Sequence, residues 1–128
     1  MAKKKILIID DEKNLCSLME DMLSNDYEIL TATDSHMGIE QAEQSKPDLI
    51  FLDLMMPHLP GPETAKHLAQ NVQTRSIPIV IMTAKLYEDE YVKTAKQEPN
   101  VKGVLIKPCP MATLHKTIRE ILDNPTRQ

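Results

Sequence analysis

A chain of 128 residues, 41% hydrophobic and 27% charged, has the length and balance of one soluble globular domain with a single core. Its net charge of −4 argues against a nucleic-acid binder driven by phosphate contacts, and no apolar run approaches the ~20 residues of a membrane span. The scarce glycines, Gly38, Gly61 and Gly103, cannot build the clustered loop of a dinucleotide or Walker-type phosphate site.

The start, "MAKKKILIID", carries only a short apolar run and no small-residue cleavage site, so it is not a signal peptide. Cys16 and Cys109 form no CxxC or metal pattern. A reduced, cytoplasmic setting with packing roles for both is expected.

In chain order, "ILII" (6–9) reads as a strand buried on both faces. Leu15, Leu18, Met19, Met22 and Leu23 follow with helical spacing. "EILTA" (28–32) is a weaker strand, and 35–44 a helix with a weaker stripe. "LIFL" (49–52) is the next buried strand, entered through Pro47, and Ala65, Leu68, Ala69 and Val72 form a helical stripe. "IVIM" (79–82) follows Pro78, with a helix over 87–97. "VLI" (104–106) is the last strand, and Met111, Leu114, Ile118 and Leu122 make the last stripe before Asn124-Pro125 stops it. Five β-α units in succession predict an α/β fold, a doubly wound parallel sheet with right-handed crossovers. One domain over 1–128 is expected, with its core at about 5–123 and a short tail at 124–128.

The residues that follow the strong strands carry the chemistry. Asp10 and Asp11 follow "ILII", Asp53 follows "LIFL" inside the apolar stretch "PDLIFLDLMMP", Thr83 follows "IVIM", and Lys107 follows "VLI". In an open parallel sheet these ends share one edge, where ligands bind. Each residue also has a plain structural use. Asp11 suits an N-cap for a helix starting near Asn14, and Thr83 a cap for the helix after it. Lys107 suits a surface lysine with a packed stem, and Asp53 a turn. Their coincidence points further. Three crowded carboxylates raise one another's pKa unless a cation neutralises them. With hard oxygen donors and no histidine or cysteine beside them, that cation is expected to be Mg²⁺. A hard metal, a nucleophilic carboxylate, a lysine and a hydroxyl suit phosphoryl transfer.

These residues resemble the receiver domain of two-component response regulators. "KILIIDDE" is similar to the family's first strand and acidic pair, and "PDLIFLDLMMPHLPG" to its D-x-x-M-P-x-x-x-G segment through Asp53, Met56, Pro57 and Gly61. "IPIVIMTA" and "VLIKP" match the fourth and fifth strands with their Thr-Ala and Lys-Pro ends. The resemblance covers essentially the whole chain and implies the flavodoxin-like strand order 2-1-3-4-5. It implies that Asp53 is the phospho-acceptor, served by a sensor histidine kinase or a phosphotransfer protein. It implies Asp11 and Asp53 as Mg²⁺ ligands with the backbone carbonyl of Met55, and Asp10 acting mainly through a water. Lys107 would pair with phosphoryl oxygens, Thr83 would hydrogen-bond one of them, and the Lys107–Pro108 peptide would be cis. The implied output is a downstream protein bound on the face of the fourth helix, fifth strand and fifth helix, with no direct nucleic-acid contact and no membrane insertion. The chain would be a signalling domain that catalyses only its own phosphorylation and dephosphorylation.

Some positions depart from the family pattern. Val104 stands where an aromatic residue is usual, with Tyr87 and Tyr91 as substitutes nearby. "KQEPNVKGVLIKP" replaces the usual Gly-Ala turn and makes the Thr83–Lys107 interval slightly long. Met55 and Lys85 occupy the variable positions that tune acyl-phosphate hydrolysis, and apolar Met55 predicts a long-lived phosphorylated state. His36, His58, His67 and His115 show no ligand spacing. Two other readings stay open. An aspartate-nucleophile phosphatase expects D-x-D after the first strand, where this chain has "DDE". A phosphorylation-independent scaffold, or a receiver excised from a larger regulator or hybrid kinase, is the other.

Overall fold

A computed structural model describes residues 3–56, 59–84 and 89–123. The order is β1 (Lys5–Ile9), α1 (Lys13–Leu23), β2 (Glu28–Ala32), α2 (Ser35–Ser45), β3 (Leu49–Asp53), α3 (Gly61–Gln70), β4 (Ile79–Thr83), α4 (Glu90–Lys96), β5 (Val101–Ile106) and α5 (Met111–Leu122). The strands pair in parallel in the order β2-β1-β3-β4-β5, the doubly wound arrangement expected from the sequence.

The unbroken apolar runs are strands because both of their faces are covered. Ile6, Ile8, Leu49, Phe51, Val80 and Met82 pack beneath α1 and α5, together with Cys16, Met19, Leu23, Leu114 and Ile118. The alternate residues Leu7, Ile9, Ile50, Leu52, Ile79 and Ile81 face α2, α3 and α4, against Ile39, Ala42, Ala65, Leu68, Val92 and Ala95. At roughly 1.5–3 kcal/mol for each large apolar side chain removed from water, these two cores dominate the stability. β5 differs from expectation. It is an edge strand, so "VLI" is only partly buried.

Two helical stripes are corrected. In α1 the buried residues are Cys16, Met19 and Leu23, whereas Leu18 is 52% and Met22 37% exposed. Apolar residues span more than one face of this helix, and only the Cys16 side meets the sheet. α3 ends at Gln70, so Val72 lies beyond it and is exposed. The expected helix over 87–97 is seen as Glu90–Lys96, capped by the Asp89 side chain, and Tyr87 lies outside the described residues.

The interval before Lys107 contains an irregularity in the β4–β5 ladder. Ile79 pairs with Val101 but Val80 pairs with Gly103, so Lys102 is an extra residue in the ladder. Beyond this bulge the register is regular, and Thr83 lies opposite Ile106.

Candidate functional site

The ends of β1, β3, β4 and β5 converge at one edge of the sheet. Asp53 and Thr83 are the last residues of their strands, while Asp10 and Lys107 come directly after theirs. Asp10 is 2% and Asp53 5% exposed, and Asp11 stands exposed beside them. One carboxylate oxygen from each of Asp10, Asp11 and Asp53 lies within 4.8 Å of the others.

Local backbone geometry fixes the two buried carboxylates. Asp10 Oδ1 accepts the Glu12 amide at 3.0 Å, and Asp53 Oδ1 accepts the Met55 amide at 3.2 Å. Asp11 is therefore not the N-cap of α1. Glu12 holds that position and makes no side-chain cap bond. Nor does Thr83 cap α4, whose N-cap is Asp89. Thr83 is fully buried, and its carbonyl accepts the Lys107 amide at 2.8 Å, which ties the two strand ends together. Gly61 sets the other wall. Its amide donates to Leu54 O at 3.1 Å, and a Cβ there would overlap the Leu54 Cα and stand 3.0 Å from Asp53 O. Only glycine lets α3 start this close to the end of β3.

Lys107 is the counter-charge. Its Nζ lies 2.6 Å from Asp10 Oδ2, 3.4 Å from Glu12 Oε1 and 3.6 Å from Asp53 Oδ2. Lys107 is therefore no free surface lysine. Burial alone would lower its pKa, but the Asp10 hydrogen bond and the charges of Asp53 and Glu12 outweigh this and raise it. Burial and the Asp10 charge push the Asp53 carboxyl above its ordinary value, opposed by the Met55 amide and Lys107. Cys16 donates its thiol to Asp10 O at 3.4 Å, and its pKa is pushed up to about 11 by burial and Asp10, which makes it a packing residue and not a nucleophile.

Every candidate read from the strand ends thus reaches one edge. The Met55 side chain is 42% exposed beside the site, the Lys107–Pro108 peptide is cis, and Lys85 lies outside the described residues. Val104 packs partly buried against the α2–α4 core, and Tyr91 is exposed on α4. Glu12 was not among the sequence candidates. The available signal was a third acidic residue in "DDE", at the first turn after the same strand.

The geometry has close parallels. The chain is 36% identical over 120 residues to the alkaline phosphatase synthesis transcriptional regulatory protein PhoP of Bacillus subtilis, matching 93% of this chain and 48% of that one. It therefore spans about half the length of that relative. It is 33% identical to protein PilH of Pseudomonas aeruginosa over 92% of this chain and 97% of that one. The structure of the chemotaxis protein CheY4 of Vibrio cholerae superimposes with a TM-score of 0.85 at 28% identity, covering 94% of this chain and all of that one. The family model for the response regulator receiver domain matches residues 6–119, and with these strand ends in place the chain belongs to that family.

Proposed function

We propose that Asp53 accepts a phosphoryl group from a phosphohistidine of a sensor kinase or phosphotransfer protein, and that the change at this edge alters which protein the domain binds. The observation that carries the reading is the Lys107 ammonium, 3.6 Å from Asp53 and 2.6 Å from Asp10 in a nearly buried cleft. In the transfer, an Asp53 oxygen forms the new P–O bond while the P–N bond to the donor imidazole breaks and the imidazole takes up a proton. Charge spreads over the phosphoryl oxygens, so fixed cations do most of the catalytic work. Lys107 supplies one of them.

Mg²⁺ is the other. The donor set is all hard oxygen, crowded within 4.8 Å, with Asp53 raised in pKa by burial and by Asp10, the condition a divalent cation relieves. Asp11, Asp53 and the Met55 carbonyl would hold it, with Asp10 assisting through water. When bound it offsets the repulsion between the carboxylates and the phosphoryl oxygens. Thr83, buried at the end of β4, hydrogen-bonds the phosphoryl group, and its shift is passed to the α4–β5–α5 face, where Tyr91 is exposed. The whole chain works as one receiver unit in the cytoplasm. Among the described residues no helix is long and apolar enough to cross a membrane.

Intact mass after incubation with acetyl phosphate and Mg²⁺ tests this. One phosphoryl adduct per chain, absent in Asp53→Asn, is expected. Repeated turnover of varied phosphoesters would instead mark a phosphatase that releases its product.

A further inference from the structure

Glu12 has no part in the roles assigned above. It occupies the N-cap position of α1, yet its carboxylate makes no cap hydrogen bond. Its Oε1 lies instead 3.4 Å from Lys107 Nζ. An ammonium has three donors, and three carboxylates surround this one, Asp10 at 2.6 Å, Glu12 at 3.4 Å and Asp53 at 3.6 Å. Two of them form the floor of the cleft, with side chains 3% and 6% exposed. Glu12 is at the rim, 66% exposed, and is not one of the three carboxylates that crowd within 4.8 Å.

Lys107 is thus held between floor and rim. Oxygens added to Asp53 would need donors of this same ammonium, and Glu12, the exposed one of its three partners, stands in competition with them. We propose that Glu12 is a positioning residue for Lys107, a rim tether that competes with a phosphoryl group on Asp53 for the ammonium and so slows phosphoryl uptake. The proposal rests on the reading of Asp53 as the acceptor.

An acidic side chain at the rim would also repel an anionic donor by charge alone, and reach separates the two effects. Glu12→Asp keeps the charge but is one methylene shorter and loses the contact with Lys107. Glu12→Gln keeps the length and loses the charge. Phosphorylation by phosphoramidate with Mg²⁺ at fixed ionic strength, followed on phosphate-affinity gels, gives the rates. Both variants are expected to phosphorylate about two- to fivefold faster, the scale of an exposed ion pair. In a Lys107→Ala background neither Glu12 substitution should change the residual rate, because the effect passes through Lys107. A Glu12→Asp rate equal to wild type, or a Glu12→Gln effect that persists without Lys107, would overturn the tether in favour of simple charge repulsion. Exchange of the Lys107 ammonium protons with water, read by NMR on the unphosphorylated protein, should quicken in Glu12→Asp, which loses the reach, and less in Glu12→Gln, whose amide oxygen still accepts. Unchanged exchange in Glu12→Asp also overturns the proposal. A wild-type protein that takes up no phosphoryl group would sink the reading of Asp53, while the ammonium exchange would still decide whether Glu12 holds Lys107.

Discussion

Lys107 Nζ and Asp10 Oδ2 meet at 2.6 Å across 97 positions of chain, which couples the end of interior strand β1 to the end of edge strand β5. The contact holds charge in a site where both side chains are mostly buried. Removing the cation leaves Asp10 and Asp53 facing each other without a counter-charge. Lys107→Met is expected to lower stability by about 2 kcal/mol at neutral pH, less than for a fully buried pair because the lysine keeps some access to water. Urea denaturation would show it, and the loss should shrink in acid as the Asp53 carboxyl, raised above its ordinary value by burial and Asp10, takes up its proton.

Asp53 carries the opposite sign. Burial, then the Asp10 charge, raise its carboxyl above the ordinary value of 3.8. The folded state therefore holds this proton more tightly than the unfolded chain does. Stability from this group is greatest in acid and falls as pH rises from about 3.8 through the raised folded value. Asp53→Asn removes that dependence and is expected to be more stable than wild type at neutral pH by about 1 kcal/mol, a site optimised for chemistry at the expense of stability. Thermal melts of both proteins from acid to neutral pH should diverge as pH rises.

Mg²⁺ held by these carboxylates would relieve the same repulsion. At a hundredfold excess over its dissociation constant, a cation that binds only the folded state adds about 2.7 kcal/mol. Wild-type protein should melt at higher temperature in MgCl₂ than in NaCl of equal ionic strength. Asp11→Asn should lose most of the difference, and chelation should reverse it.

Met55 follows Asp53 at a distance of two residues, donates its amide to the Asp53 carboxylate, and is a 42% exposed apolar residue. Such a side chain cannot orient a water for attack on the acyl phosphate. Met55→Asn is expected to speed loss of the phosphoryl group from Asp53 several-fold, and decay of the adduct after donor removal would measure it. An unchanged decay rate would place control of the lifetime elsewhere.

Gly61 permits the close approach of α3 to Leu54. Gly61→Ala pushes a methyl group against backbone, which cannot yield as a side chain can. A loss of about 1–3 kcal/mol is expected, in the range of an overpacked core. Calorimetry would give the loss, and slower phosphorylation should accompany it, because Asp53 O lies on the same contact.

Much of the site was legible because strand ends are. Unbroken apolar runs place their next polar residue at the sheet edge, and Asp10, Asp53, Thr83 and Lys107 all follow this rule. What was less legible depends on contacts distant in sequence. The phase of α1 could not be read, because Leu15, Cys16, Leu18, Met19, Met22 and Leu23 cover more than one face, and only packing selected Cys16 over Leu18. Asp11 resembled a cap, yet the Asp10 carboxylate is the one that accepts the Glu12 amide. The role of Glu12 depends on how far its side chain reaches, which spacing does not encode.

The extra residue Lys102 lies at the far end of β5 from Lys107, and the ladder is regular between them. The extra residue is therefore taken up before the strand reaches the cleft. The bulge works as an expansion joint: it absorbs one residue of the connection while the cation at the strand's other end stays tied to Thr83 through the Lys107 amide.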